Sequence, residues 1–264
     1  FSRVWEVLAD DGTLWVNIAD SYAGYHGNKN AKYEDAPSNK DGYFENQRQS
    51  TVGNGGLKQK DLIGIPWMFA FAMRDAGWYL RQEIIWSKPN PMPESVTDRC
   101  TNSHEKIFLF SKKPRYYFDA EAIKEDSVRA GDSQVFGGKK SSELQAGEGD
   151  PRNGHRSAKN SQWGNTVVTQ DKRNKRSVWD VATKPYKEAH FAVFPEELIT
   201  PCILAGCPRD GFVLDPFMGS GTTAMVATQN GRGFYGCELN SEYVPLQKNR
   251  LGLFQGYTEW VDVR

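Results

Sequence analysis

The residues with the most chemical promise lie between positions 211 and 240. Phe212-Val213-Leu214 is a short apolar run that ends at an acid, Asp215. Pro216-Phe217-Met218-Gly219-Ser220-Gly221 follows and leads into the helix-forming stretch Thr222-Thr223-Ala224-Met225-Val226-Ala227-Thr228. A second apolar run, Gly233-Phe234-Tyr235-Gly236-Cys237, ends at Glu238, 23 positions after Asp215. Strand, glycine turn, helix and a second strand closed by an acid is the pattern of an adenosine-binding unit. Its glycines let a ligand approach the backbone, and its acid accepts hydrogen bonds from ribose hydroxyls. No Lys follows the second glycine, which excludes a phosphate-binding P-loop. Asp215 separates the remaining ligands. A carboxylate at the mouth of a pyrophosphate site repels its ligand, whereas beside a cationic amino acid moiety it attracts. S-adenosylmethionine carries an ammonium and a sulfonium as well as adenosine, and its own carboxylate suits a helix N-terminus at Thr222. The charge pattern favours this cofactor over NAD. A nicotinamide-dependent oxidoreductase on a similar doubly wound sheet is the rival reading.

The elements around this unit have the rhythm of an α/β fold. Helical periodicity over Val4, Trp5, Val7 and Leu8 stops at Asp10-Asp11-Gly12, and a strand-like run over 13–18 follows. Residues 21–60 form a polar insertion rich in Gly, Asn, Lys, Ser and Gln, expected to be mobile without a ligand. An apolar helix opens near Pro66 and closes at Gly77; strand-like runs follow over 79–86 and 106–110. Between those runs, Pro89, Pro91 and Pro93 impose a stiff, non-helical loop. Alternating helices and strands predict a parallel-type sheet covered by helices.

Lys+Arg and Asp+Glu number 33 each, so net charge says nothing of partners. Its distribution does. Over residues 152–176 stand Arg152, Arg156, Lys159, Lys172, Arg173, Lys175 and Arg176 against one acid, Asp171, with Trp163 and several amides interleaved. Such a stretch reads as a solvated loop or as a nucleic-acid surface, with cations for phosphates and amides for base edges. The four cysteines are too scattered for a disulfide framework and lack the partners of a zinc site, so reduced core or near-core thiols of a cytoplasmic protein are expected and no metal. No apolar run approaches the ~18 residues of a membrane span.

The segment from Asp215 through Thr223 resembles the cofactor motif of DNA amino-methyltransferases, which modify adenine N6 or cytosine N4. His190-Phe191-Ala192-Val193-Phe194-Pro195-Glu196-Glu197-Leu198 is similar to that family's second cofactor segment. The stretches from Trp86 to Ser95 and from Gly56 to Pro66 match segments of one branch of it. The order, with the cofactor motif near the C-terminus, resembles the permuted class in which DNA recognition precedes the cofactor motif. The resemblance implies a Rossmann-like three-layer α/β/α methyltransferase sheet with an irregular DNA-recognition insertion. It divides the chain into a catalytic-side half (1–124), a target-recognition region (125–178) and a cofactor half (179–264). It implies S-adenosyl-L-methionine held by Asp215, Pro216, Phe217, Gly219, Ser220, Gly221 and Thr222, ribose on Glu238, and Phe194 and Pro195 packed nearby. Double-stranded DNA would meet Lys88, Asn90 and the basic residues above, in partnership with a cognate restriction endonuclease in a bacterial or phage setting. Asn17 and Asp20 are candidates for the target pocket, or alternatively strand-end caps.

That family works through a tetrapeptide of Asp, Asn or Ser, then Pro-Pro, then an aromatic. An exocyclic amino nitrogen is a poor nucleophile because its lone pair is delocalised. Acceptors that hold its hydrogens localise the pair for in-line attack, and the aromatic stacks on the extruded base. The sequence has 13 prolines, and no two are adjacent. By the family's order the tetrapeptide belongs immediately upstream of Phe1. Three origins compete: an N-terminally incomplete copy of an active enzyme, which is favoured, a truncated inactive DNA-binding homologue, or a segment supplied by another chain.

Overall fold

The computed structural model describes residues 1–24, 56–127, 133–135, 166–168, 171–184 and 194–252. They fall into two compact units, Phe1–Asp119 with Arg176–Arg264, and Ala120–Lys175.

The first unit is built on a four-stranded sheet. Its strands are β1 (Thr13–Ile18), β2 (Tyr79–Ser87), β3 (His104–Ser111) and β8 (Val178–Asp180), in the order β1-β3-β2-β8. β2 and β8 are parallel, and β3 runs antiparallel to both β1 and β2. The alternation along β3 decides the layering. Ile107 joins Ile84, Trp86 and Trp179 on one face, where Leu198 and Cys202 of helix α3 (Glu196–Gly206) cover them. Phe108 and Phe110 point to the other face, against Ala70 and Met73 of α2 (Ile65–Asp75), Trp78, and Trp5 of α1 (Ser2–Val7). Helices on both faces make three layers. Phe108 and Phe110 are both fully buried, and each contributes roughly 1.5–3 kcal/mol by leaving water.

A second, two-stranded parallel sheet pairs β9 (Phe212–Asp215) with β10 (Gly233–Gly236). Helix α4 (Thr222–Gln229) joins them, and α5 (Tyr243–Arg250) follows. Helix α3 serves both sheets, since Ile203 and Ile199 pack with Val226, Ala227, Val213 and Phe234. This helix also fixes strand direction. Its first turns pack at Trp86 and Trp179, near the carboxyl ends of β2 and β8, while the Gly206 carbonyl at its end accepts from Thr13 Oγ1 at the start of β1 (3.3 Å). β9 returns from that end, so it runs in the same sense as β1, β2 and β8. The carboxyl ends of all these strands lie along one edge, where open α/β sheets bind ligands.

The ends of the polar insertion are zipped together. Tyr22 and Leu62 form an antiparallel bridge, flanked by Ala23 N to Asp61 O (2.8 Å) and Ile63 N to Ser21 O (2.9 Å). Residues 25–55, where mobility was expected, lie outside the described residues. In the unit Ala120–Lys175, two short antiparallel ladders pair β4 (Glu125–Asp126) with β7 (Lys172–Arg173) and β5 (Ser133–Val135) with β6 (Thr166–Val168). These two short ladders are the regular structure described within the stretch expected to be irregular. The cysteine reading is corrected: Cys202 and Cys207 are buried, but Cys100 and Cys237 are exposed, and all four are free. Burial pushes the Cys207 thiol pKa up, against a smaller opposing effect of Arg232.

Candidate active site

The turn after β9 is held by its own acids. Asp215 Oδ1 accepts the Phe217 N–H (2.9 Å) and its Oδ2 accepts the Thr223 hydroxyl (2.5 Å). Glu238 Oε2 accepts the Gly219 N–H (2.8 Å), and its Oε1 accepts the Asn240 N–H (2.8 Å). Both carboxylates thus stand at adjacent strand ends, and each oxygen takes one neutral donor. A carboxylate offers about four acceptor sites, so both keep capacity for a ligand's hydroxyls or ammonium.

The backbone of the turn needs its glycines. Gly221 sits at φ +85°, which is costly for a residue with a Cβ, and a Cβ there would stand 3.4 Å from Gln247 Cγ. Gly236 on β10 leaves room for Met218, which is 7% exposed; a Cβ at Gly236 would fall 1.8 Å from Met218 Sδ. The turn is also braced from α5. Gln247, 2% exposed, donates from Nε2 to the Gly219 carbonyl (2.6 Å), and Arg250 Nη1 donates to Ser220 Oγ (3.2 Å) and to Thr222 Oγ1. Ser220 and Thr222 are themselves buried, and their hydroxyls accept this brace.

Two apolar side chains beside the acids are bare: Phe217 is 79% exposed and Leu239 fully so. Bare apolar groups beside two carboxylates at a glycine turn are chemically suited to a ligand with an aromatic body and a cationic end. Gln247, Arg250, Met218 and Leu239 were not singled out from the sequence. Leu239 had a legible signal, an apolar residue directly after the strand-end acid; the α5 residues had none.

The other candidates are placed differently. Asp20 Oδ1 accepts three backbone N–H groups, from Ser21 (2.8 Å), Gly64 (3.0 Å) and Ile65 (3.1 Å), so it ties the end of β1 to the start of α2. Asn17 donates across the sheet to the Lys106 carbonyl (3.2 Å). Phe194 packs against the Trp86 cluster, and Pro195 is buried as the residue that opens α3. Lys88 forms an ion pair with Glu105 and lies over the Trp86 ring, 4.4 Å from its centre. Asn90 exchanges hydrogen bonds with Thr183. Arg173 pairs with Glu125 (2.9 Å), and Lys172 and Arg176 are exposed. Arg152, Arg156, Lys159 and the segment 190–193 lie outside the described residues. Among the described residues no group of three or more His, Cys, Asp or Glu could hold a metal ion.

Among the described residues β1 is hydrogen-bonded to β3 alone and β9 to β10 alone, so each has an open edge. Phe212 and Tyr235, stacked at 5.2 Å, are exposed on the face of β9-β10 opposite Val213 and Phe234.

The family model for DNA methylases of the N6/N4 type matches residues 1–249. The chain belongs to the DNA methylase family. Its relatives include the Type II methyltransferase M.Cfr9I of Citrobacter freundii, 44% identical over 95% of this chain and 68% of the relative. Another is the Type II methyltransferase M.SmaI of Serratia marcescens, 43% identical over 95% of this chain and 71% of the relative. Among solved structures, the cytosine-N4-specific PvuII DNA methyltransferase superposes with a TM-score of 0.55 at 16% identity, over 92% of this chain and 64% of that one. A DNA modification methylase of Thermus thermophilus, complexed with S-adenosyl-L-methionine, gives 0.50 at 19% identity, over 95% and 72%. These two share the Rossmann-like fold with this DNA methylase.

Proposed function

We propose that this DNA methylase binds S-adenosyl-L-methionine at the turn from Asp215 to Gly221 and transfers its methyl group to an exocyclic amino group, adenine N6 or cytosine N4, of a base turned out of double-stranded DNA. The observation that carries the reading is the pair of carboxylates, Asp215 and Glu238, at neighbouring strand ends beside the exposed Phe217 and Leu239. The bound cofactor supplies an electrophilic methyl group. Asp215 orients the cationic amino acid end, Glu238 holds the ribose hydroxyls, and Leu239 and Phe217 shield the site from water. The positive end of α4 faces the cofactor carboxylate through backbone N–H groups.

The acceptor chemistry requires groups that hold the amino hydrogens, and the family's tetrapeptide for that role is not in these 264 residues. Basic residues of the unit Ala120–Lys175 and Arg176 contact DNA phosphates, and the protein works in the cytoplasm as the modification half of a restriction–modification pair. No helix among the described residues is long and apolar enough to cross a membrane.

The test is mass spectrometry of nucleosides from DNA incubated with the full-length protein and cofactor bearing a deuterated methyl group. Label on adenine N6 or cytosine N4 is the expected result. Label on a ring carbon, or none, contradicts the reading.

A further inference from the structure

The loop between β2 and β3 is an arch with both feet fixed. On one side Lys88 N donates to the Ser103 carbonyl (2.8 Å), continuing the β2-β3 ladder. Asn90 then closes a clamp on Thr183: its Nδ2 donates to the Thr183 carbonyl (3.0 Å), its Oδ1 accepts the Thr183 N–H (2.9 Å), and its own carbonyl accepts the Thr183 hydroxyl (3.4 Å). On the other side Glu94 Oε2 accepts from Arg99 (2.6 Å) and from the Asn102 N–H (3.2 Å). Arg99 is steadied in turn over the Tyr22 ring, 4.0 Å from its centre.

Between those feet stands Pro91-Met92-Pro93. Both prolines fix their own φ, and a residue before proline is confined to extended conformations, so the tripeptide has little freedom to lose. At its crown Met92 is 86% exposed. A flexible apolar side chain on a rigid, doubly anchored mount is poorly suited to water and well suited to entering something. The arch follows the carboxyl end of β2, the edge that also carries Asp215 and Glu238. The cations at its feet, Lys88 and Arg99, are engaged by Glu105 and Glu94, so the arch is not built as a phosphate clamp. What its crown offers outward is one unbranched apolar side chain.

We propose that Met92 is the wedge that enters the base stack as the target base leaves the duplex. This rests on the proposed function. Proteins that open or kink duplexes insert apolar side chains, methionine among them, between base steps, where they replace part of the broken stacking. A rigid mount matters because a wedge that is already ordered loses little entropy on insertion.

The experiment places 2-aminopurine at the target position of a duplex whose site has been mapped by sequencing modified bases in DNA from cells expressing the protein. Fluorescence on adding the full-length protein and S-adenosylhomocysteine reports the unstacked base. Wild type should give a large rise, and Met92→Ala should lose it by about fivefold or more, while Met92→Leu keeps most of it. On a duplex with an abasic site opposite the target, where pairing is already absent, Met92→Ala should recover to within about twofold of wild type. Cofactor affinity should be the same in all three proteins. A Met92→Ala protein that matches wild type on the paired duplex overturns the proposal. So does an equal deficit on both duplexes, which would mark an ordinary binding contact. If wild type itself neither binds the duplex nor unstacks the base, the functional reading fails along with it.

Discussion

The turn after β9 and the arch after β2 both sit at strand carboxyl ends, and they are stiffened by opposite means. The turn uses glycines at φ +52° and +85°, so its backbone comes close to whatever lies against it, and its rigidity is borrowed from Asp215, Glu238, Gln247 and Arg250. The arch uses prolines, which carry their own rigidity, and needs fixing only at Asn90 and Glu94. Proline has no N–H to offer a small ligand, and the turn keeps its one proline, Pro216, directly after the strand and away from its glycines. A loop that must present one side chain outward has no need of glycine. The difference suits the two tasks proposed for them: backbone approach to a cofactor at the turn, and a side-chain tip for a macromolecule at the arch.

The largest expected effect breaks the turn. Asp215→Ala removes the charge that attracts the cationic end and frees the Phe217 N–H and Thr223 hydroxyl. Calorimetry should find S-adenosylmethionine affinity lowered by about tenfold to a hundredfold, with thermal unfolding still cooperative. Unchanged affinity would refute the electrostatic argument made from that carboxylate.

Next comes the charge that neither loop supplies. Changing Lys172, Arg173, Lys175 and Arg176 together to Ser should weaken DNA binding and flatten its log–log salt dependence by about 0.9 for each phosphate no longer neutralised. Cofactor affinity should not move. A salt slope equal to wild type would remove these residues from the DNA surface.

A paired substitution sharpens the contrast directly. Gly221→Ala must hold a Cβ at positive φ against Gln247, which costs roughly 1–2 kcal/mol and should lower both stability and cofactor affinity. Pro91→Ala should cost about 1 kcal/mol or less and leave cofactor affinity alone. Equal falls in cofactor affinity in the two variants would erase the distinction.

The smallest effect is acid release of the arch. The Arg99 hydrogen bond, with help from the Asn102 N–H, holds the Glu94 carboxyl below its ordinary range. A depressed folded-state pKa means that this anchor is present at neutral pH and is lost as pH falls through the folded value. Amide exchange over residues 94–102 should therefore lose protection on acidification below the ordinary carboxylate range, and Glu94→Gln should remove that pH dependence.

How much of this was legible beforehand depended on whether a residue's role was set locally. The strand-turn-helix-strand unit over 212–238 could be read because apolar runs, glycines and terminal acids are adjacent in sequence. The run over 79–86 and the helix between Pro66 and Gly77 were readable for the same reason, and the structure has them at Tyr79–Ser87 and Ile65–Asp75. Asp20 was ambiguous because its three donors include Gly64 and Ile65, more than forty positions away. Lys88 and Asn90 read as DNA contacts from their loop, yet their partners Glu105 and Thr183 come from β3 and from beyond β8. α5 gave no signal at all, since its only buried residue is a glutamine, and a buried amide is invisible to hydrophobic periodicity. The bridging of two sheets by α3 was likewise hidden, because both of its faces are apolar and Pro201 lies inside it.

On the proposed function, two strand-end carboxylates select a cationic adenosine cofactor over a pyrophosphate one. Calorimetric titration of the wild-type protein with S-adenosylmethionine and, separately, with NAD tests it most directly. Saturable heat with S-adenosylmethionine and none with NAD is the predicted result; saturable binding of NAD, with none of S-adenosylmethionine, would contradict it.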